Sequence, residues 1–126
     1  MRQLFLLFSH KLTPSQELDA KESLGITNFV ILPQELQSLW SNIPPTLENL
    51  SDYLTPLKEY ISDKSKDGDI VLIQGEFGGC YEMVNFVKSL GLIAVHSTTK
   101  RDVVEKKVDG KVVKTSVFEH VRFREF

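Results

Sequence analysis

The sequence predicts one α/β domain with a mostly parallel sheet, flanking helices and a C-terminal antiparallel β-hairpin. Strand-length apolar runs alternate with segments of helical periodicity through residues 1–96, the order typical of a parallel sheet. Near the C-terminus, Asp109-Gly110 separates two strand-like runs, which is the sequence of a tight type I′ hairpin. With 126 residues, 41% apolar and 25% charged, the chain suits one core and does not resemble a disordered protein. We therefore expect a single domain over 1–126, with a hairpin appendage at about 101–126.

The first strand, helix and second strand have clear boundaries. Residues 3–8 form a short apolar run of the buried-strand type. Thr13 is a good N-cap and Gln16 three residues later completes a capping box, so a helix begins there. Gly25 predicts the end of that helix, and residues 26–32 read as a second strand that a proline ends.

Two further helices precede the central strand. Leu36, Leu39 and Trp40 have the spacing of one helical face and predict a short helix. A second apolar stripe recurs at steps of three and four residues, and Pro56 within it predicts a kink, or a new helix capped by Thr55. The stripe consists of Leu47, Leu50, Leu54, Leu57 and Ile61.

The second half begins with the best candidate for a central strand, the apolar run 69–73. A Gly-rich turn leads into an amphipathic helix over about 80–90, which Gly91 ends. Residues 92–96 predict another strand, and 97–101 predict a polar loop before the hairpin. Strands over 103–108 and 111–118 form the hairpin, and 118–126 continue as an alternating stretch.

Composition and charge restrict the function. The net charge of −2 and pI of about 5.9 argue against a protein that coats long nucleic acid. The N-terminal apolar run is too short for a signal peptide or membrane span, and the single cysteine excludes an internal disulfide, so we expect a cytoplasmic protein without a membrane partner. Residues 1–96 hold 7 Lys and Arg against 12 Asp and Glu, whereas residues 97–126 hold 8 against 5. The positive C-terminal part suits a small anionic ligand, or it keeps a hairpin soluble.

Three predicted loops follow the carboxyl ends of strands, where parallel sheets bind their ligands. They are Ser9-His10, the Gly-rich turn 74–79, and the segment 96–101. Glycines and free helix N–H groups suit a phosphate, while hydroxyls and cations hold it from several sides. The alternative interpretation is that these residues form a tight turn and polar loops without a binding function. The expected ligand contacts in these loops are Ser9, Gln74, Gly75, Phe77, Gly78, Gly79, Thr98, Thr99 and Lys100.

The C-terminal stretch offers a further anion site. If the stretch is extended, His120, Arg122 and Arg124 share one face, which is either a ligand contact or a charged face that prevents aggregation. His10, His96 and His120 match no metal-binding spacing, so we expect no metal and no cofactor. Cys80 lies on the apolar face of its helix and is more simply a core residue than a nucleophile.

Five segments in order resemble a small type III CRISPR-associated protein of the Csx group, the family numbered twenty. They are Phe8-Ser9-His10-Lys11-Leu12-Thr13, Leu32-Pro33 with Leu39-Trp40, Gln74-Gly75-Glu76-Phe77-Gly78, Thr98-Thr99-Lys100-Arg101 and Phe118-Glu119-His120-Val121-Arg122-Phe123-Arg124. The resemblance implies a Rossmann-like, CARF-related fold and a ring nuclease that opens the messenger cyclic tetra-adenylate without a metal. It further implies linear oligoadenylates with 2′,3′-cyclic phosphate ends as products.

The chemistry of that reaction assigns roles to the candidate residues. A ribose 2′-OH attacks the adjacent phosphorus, so the protein supplies orientation, charge stabilisation, a base and an acid. His10 and His120 are the candidate base and acid, with Glu76 third. The candidate cation is Arg101 or Lys100, or, if the tail reaches the cleft, Arg122 or Arg124. Because the ring has two-fold symmetry, we expect a homodimer. The alternatives are a protein that binds the ring without cutting it and an unrelated Rossmann-like nucleotide-binding protein.

Overall fold

The computed structural model describes residues Met1–Phe126, which form five strands and four helices in the predicted order. The elements are β1 (Gln3–Leu7), α1 (Pro14–Leu24), β2 (Asn28–Ile31), α2 (Gln34–Ser41), α3 (Thr55–Lys64), β3 (Ile70–Ile73), α4 (Phe77–Ser89), β4 (Ile93–Val108) and β5 (Lys111–Glu125). None of the helices is long and apolar enough to cross a membrane.

The strands form one sheet in the order β2-β1-β3-β4-β5. The first four strands are parallel, and β5 pairs with β4 in the antiparallel direction. This confirms the mixed α/β class and the mostly parallel sheet with an antiparallel C-terminal pair. Because β2 and β3 lie on opposite sides of β1, the strand order reverses between β1 and β3. In open α/β sheets the crevice at such a reversal is where ligands bind.

Alternating side chains of the central strands build a core on each face of the sheet. Phe5 and Leu7 pack into a cluster with α2, α3 and α4, whose largest member is the buried Trp40. Leu4 and Leu6 pack into a smaller cluster beneath α1. All four residues of β3 are buried, as expected of a central strand covered on both faces.

Local signals place several boundaries where the sequence predicts them. Thr13 accepts a hydrogen bond from the N–H of Gln16, and the Gln16 side chain returns one to the Thr13 N–H, so the capping box is confirmed. Gly25 ends α1 with a φ of 68°. The two turn residues Asp109 and Gly110 have positive φ angles of 52° and 76°, as a type I′ hairpin requires.

The leucine stripe is helical only in its second half. Residues 55–64 form α3, whereas the segment before it runs in turns. Pro56 lies in the first turn of α3, where its missing N–H breaks no helical hydrogen bond. The predicted cap is wrong, since Thr55 is the first helical residue and the N-cap position belongs to Leu54, which offers no side-chain acceptor.

The predicted loop at 97–101 is also wrong, because β4 continues without interruption to Val108. Pairing with β3 ends at Val95, but pairing with β5 satisfies the backbone beyond that point. The hairpin is therefore a direct extension of the sheet. We call its projecting part, residues 99–120, the ribbon. The ribbon contains ten residue pairs, from Thr99 opposite His120 to Val108 opposite Lys111.

A β-bulge at the base of the ribbon changes which side chains share a face. Thr98 is opposite Arg122 and Thr99 is opposite His120, so Val121 is the extra residue. The bulge shifts the alternation, and the His120 ring contacts the ring of Phe123 with centroids 4.6 Å apart. The prediction that His120, Arg122 and Arg124 share a face is therefore wrong for His120, whereas Arg122 and Arg124 do share one.

Candidate functional site

The crevice between the ends of β1 and β3 contains a polar cavity. The cavity measures about 240 Å³ and is lined by Phe8, Ser9, His10, Gln74 and Gly75. Two of the three predicted loops therefore meet at the point where the strand order reverses. The third predicted segment lies one strand away, and only Ser97 within it reaches this part of the molecule through a bond to Gln74.

Gln74 presents hydrogen-bond donors at this cavity. Its Oε1 accepts a hydrogen bond of 2.8 Å from the backbone N–H of Ser97. A backbone N–H can only donate, so this bond fixes the amide orientation and leaves the Nε2 group as the free end. The main chain of Gln74 is held as well, since its N–H donates to Leu7 and its carbonyl accepts from the Trp40 indole at 3.1 Å. A fixed amide donor suits a phosphate oxygen.

Ser9 and His10 follow β1 and are both exposed. The Ser9 hydroxyl lies 3.1 Å from that of Ser41, and the Gln37 amide donates to the Phe8 carbonyl at 2.8 Å, so α2 holds this loop. The His10 ring meets the edge of the Phe8 ring at a centroid distance of 5.4 Å. No hydrogen bond engages the His10 ring nitrogens, which are therefore available to a ligand.

A second cavity, more apolar and about 350 Å³ in volume, lies on the other side of His10. Its walls include the apolar side chains of Leu6, Phe8, Leu12, Phe29 and Ile31, and the polar side chains of Lys11, Glu17 and Gln37 also line it. His10 thus separates a polar cavity from an apolar one. Such a pair of neighbouring cavities matches a ligand with an anionic group beside a flat apolar group.

The rest of the Gly-rich turn points elsewhere. The Glu76 carboxylate accepts from the N–H of Gly78 and caps α4, on the side of a different cavity of about 540 Å³. A Cβ atom at Gly79 would lie 2.5 Å from Ile43, and one at Gly75 would lie 3.1 Å from the Trp40 ring. These two glycines therefore allow α4 and its turn to approach the residues of α2 and the segment after it. Phe77 is 94% exposed and touches no cavity described above.

The predicted phosphate contacts of the segment 97–101 lie on the ribbon or at its base. Thr98 bonds to the backbone of Arg122, while Lys100 lies 3.8 Å from Asp102 and Arg101 donates to Ser116. Thr99 is exposed in the strand opposite His120. None of these side chains lines the polar cavity. The expectation that all three predicted loops bind one ligand at the carboxyl ends of the strands is therefore wrong for Glu76 and Lys100.

His120 belongs to a buried network of hydrogen bonds. Its Nδ1 lies 2.5 Å from the hydroxyl of Ser97, its Nε2 lies 2.7 Å from the carboxylate of Asp19, and its side chain is only 4% exposed. Both ring nitrogens are occupied, so His120 joins β5 to α1 and β4 and does not face a substrate. The Gln16 amide completes the network by donating to Ser97 at 3.3 Å.

The surroundings of Asp19 favour its charged form. Burial by itself raises the pKa of this carboxyl, but hydrogen bonds from Ser23 and His120, together with the charges of His120 and Arg122, outweigh it and lower the pKa. The network therefore holds an ionised carboxylate against the inner face of the ribbon base.

The other tail residues line a different cavity. Arg122 is opposite Thr98 and Arg124 is opposite His96 in the sheet, and both line a cavity of about 280 Å³ together with Arg2, Ile70 and Ile93. His96 packs on the Phe126 ring at 4.7 Å, and burial, then the charge of Arg124, lowers its pKa. No three His, Cys, Asp or Glu side chains lie close enough together to share a metal ion.

Cys80 lies in α4 and packs against the core, as expected. It is half-buried, and burial, with a smaller contribution from Glu76, raises the pKa of its thiol. A thiol with a raised pKa is a poor nucleophile at neutral pH.

Sequence analysis missed the roles of Gln16, Asp19 and Lys11. Gln16 and Asp19 are three residues apart in α1 and share a helical face, which is a weak signal for a polar contact. Their partner lies 101 positions from Asp19 along the chain, so no local pattern identifies it. Lys11 directly follows the predicted loop residues, and its closeness to the apolar cavity depends on β2 lying beside β1.

Comparisons with known proteins identify a family. A family model described as "Uncharacterized protein MJ1673 family" matches residues 2–124. A protein of Methanocaldococcus jannaschii, described as uncharacterized protein MJ1673, is 48% identical over 126 residues, which cover 100% of this chain and 98% of that protein. No solved structure matches the chain. Because the family model covers nearly the whole sequence, the chain belongs to the MJ1673 family.

Proposed function

We propose that this protein is a ring nuclease that opens cyclic tetra-adenylate, acting as a Rossmann-like, CARF-related domain in the cytoplasm. The observation that carries the proposal is the convergence of Ser9, His10, Gln74 and Gly75 in one polar cavity where the strand order reverses. The five sequence segments that resemble the Csx-group family numbered twenty supply the substrate and the reaction.

Two neighbouring cavities support a nucleotide ligand. The fixed Gln74 amide and the Ser9 hydroxyl are donors for a phosphate in the polar cavity. The apolar cavity beyond His10 offers Phe8 and Phe29 to an adenine base, and Lys11 also lines it. A ring of four nucleotides presents phosphates and bases alternately, as this pair of cavities requires.

His10 is the proposed acid–base group. In the first step it accepts the proton of a ribose 2′-OH while that oxygen attacks the adjacent phosphorus. The bond from phosphorus to the 5′-oxygen breaks, the leaving oxygen takes up a proton, and a 2′,3′-cyclic phosphate remains. The nucleophile belongs to the substrate, so the reaction needs no nucleophilic side chain, and general-base catalysis contributes about 10²–10⁴-fold.

The proposal includes a two-fold homodimer, because the ligand has a two-fold axis and one cavity holds only part of it. Cyclic tetra-adenylate is the proposed partner, and long nucleic acid and membranes are not. The proposed reaction uses no metal and no cofactor.

The test is incubation of the protein with cyclic tetra-adenylate in EDTA, followed by denaturation and chromatography. A ring cut once is an isomer of the intact ring, so retention time is the readout, and mild acid then adds one water to the cyclic phosphate. We expect conversion to linear products, and none with His10→Ala. Recovery of the intact ring after hours with excess protein would contradict the proposed ring-opening activity.

One observation favours the alternative of a protein that binds the ring without cutting it. His120, the second candidate acid–base group, has both ring nitrogens bonded, so His10 would act alone. A binding protein would retain the ring intact and would still gain thermal stability, which rises with the logarithm of the ligand concentration above Kd. Thermal shift across cyclic oligoadenylates of different ring size separates this alternative from an unrelated Rossmann-like nucleotide-binding protein.

A further inference from the structure

The ribbon projects from the body without covering its own apolar side chains. Its ten residue pairs extend about 33 Å beyond the sheet at 3.3 Å per residue. It contains seven large apolar side chains that are each 42–65% exposed, namely Val103, Val104, Val108, Val112, Val113, Val117 and Phe118. A two-stranded ribbon of this kind is marginally stable alone in water, so a packing partner is expected.

One face of the ribbon contains a continuous apolar row. Side chains of paired residues share a face, so Val104 lies diagonally between Val117 and Val113, and Val108 continues the row. We call these four residues the valine row. Three lysines (Lys100, Lys106 and Lys111) and two acidic residues (Asp102 and Glu119) flank it on the same face, which is therefore net positive. On the other face Val112 is separated from Val103 and Phe118 by charged side chains.

A surface of complementary character lies on the body. The cavity of about 540 Å³ before α4, here the acidic cleft, has apolar walls from Pro44, Leu47 and Leu50 and carboxylates from Glu48, Glu76 and Glu82. Glu48 takes part in no ion pair, and Phe77 and Tyr81 stand 94% and 73% exposed on the same helix as Glu82. Residues 1–96 are net negative, whereas 97–126 are net positive.

We propose that the ribbon of one copy docks through its valine row on the acidic cleft of a second copy, and reciprocally. The area supports this arrangement over a contact between two ribbons. A ribbon face about 33 Å long and about 10 Å wide covers roughly 330 Å², well below the ~800 Å² per partner of a stable interface. Reciprocal docking doubles the covered area per copy to about 660 Å² before surface roughness is counted.

Docking in this way bears on the proposed site. Lys100 and Arg101 do not line the cavity of their own subunit, and the acidic cleft adjoins the turn that contributes Gln74 and Gly75. The partner's ribbon would therefore bring cations to the side of that turn. This inference rests on the homodimer included in the proposed function, and not on cleavage.

Sedimentation velocity over a range of protein concentrations tests the inference. We expect a dimer for the wild-type protein and a rise in dimer Kd of at least ~100-fold for Val104→Glu with Val113→Glu. The matched control, Val103→Glu with Val112→Glu, changes the same residue types on the other face and should raise Kd less than about 5-fold. A monomeric wild type, or equal effects of the two pairs, would overturn the proposal.

Three further variants guard against a ribbon that fails to fold. Replacing residues 100–119 by Asn-Gly removes all of the ribbon except Thr99 and His120 and should give a monomer. A dimer would refute docking through the ribbon. Lys106→Glu with Lys111→Glu should weaken the dimer. Adding Glu48→Lys should restore part of the affinity, because the new carboxylates on each ribbon would meet a lysine in the cleft of the other copy. If Glu48→Lys restores none of the lost affinity, the acidic cleft is not the docking surface. A monomeric wild type that still opens the ring would refute docking through the ribbon but not cleavage. A dimeric wild type that leaves the ring intact would refute cleavage but not docking.

Discussion

Replacing Ser97 by alanine tests whether the buried network stabilises the fold. The hydroxyl serves two partners, His120 Nδ1 at 2.5 Å and Gln16 Nε2 at 3.3 Å, and alanine leaves both without it. Ser97 and Gln16 are each 7% exposed, so water has little access to the orphaned groups. Because alanine fills nearly the same volume, the substitution creates no sizeable cavity.

The expected cost follows from these contacts. A buried polar group that loses its partner costs about 1–3 kcal/mol, and the long bond to Gln16 belongs at the low end of that range. The sum is roughly 2–4 kcal/mol, a large part of the 5–15 kcal/mol by which a typical domain is stable.

Urea denaturation followed by tryptophan fluorescence measures this loss. The chain has one tryptophan, and Trp40 is 2% exposed, so its emission reports loss of the main core. With a slope of about 2 kcal/mol per molar urea, the midpoint should fall by about 1–2 M. Both proteins are compared at equal concentration, because the proposed dimerisation would also shift the urea midpoint.

Ser116→Ala is the matched control. Ser116 accepts two hydrogen bonds from Arg101 but is exposed on the ribbon, so its loss should cost less than about 0.5 kcal/mol. If both variants unfold at the wild-type midpoint, the reasoning about the Ser97–His120–Asp19 network is refuted.

Four other predictions concern the site and acid stability. His10→Ala should lower the single-turnover cleavage rate by about 10²–10⁴-fold with little change in binding, and an unchanged rate would remove His10 from the mechanism. Gln74→Glu keeps the acceptor for the Ser97 N–H but places a carboxylate at the cavity, so ring binding measured by calorimetry should weaken at least ~10-fold; unchanged affinity would exclude a phosphate there. Burial raises the pKa of Asp69, but hydrogen bonds from Gln3 and Lys66 outweigh it and lower the pKa, so its stabilisation is present above about pH 4 and lost as the pH falls through the folded pKa. Asp69→Asn should flatten that part of the urea midpoint profile between pH 7 and 3, and an unchanged profile would contradict the assignment. Cys80→Ser should leave cleavage intact, and a folded but inactive variant would show that the thiol is more than a core residue.

Local rules explain why most elements could be predicted. Capping at Thr13, the left-handed Gly25 and the turn at Asp109-Gly110 each depend on residues within a few positions. The apolar run of β3 needs burial on both faces, which indicates a central strand before any partner is known. The meeting of Ser9-His10 with Gln74-Gly75 follows from the same reasoning, because both segments come directly after parallel strands.

Pairing across the sheet decided what local patterns could not. Residues 97–101 read as a loop because they are polar, yet β5 satisfies their backbone and makes them a strand. The bulge at Val121 turned His120 toward Asp19, although strict alternation would place it beside Arg122. Strand pairing and bulges join residues that are far apart in sequence, so the conformational preferences of a short segment do not predict them.

The sequence by itself determined the class of the fold, the position of its central strand and the polar end of the sheet, because propensity and burial act on short segments. Only the tertiary structure decided that Lys100 and Arg101 lie on the ribbon and away from the polar cavity, because the length of a strand depends on the partner that accepts its hydrogen bonds.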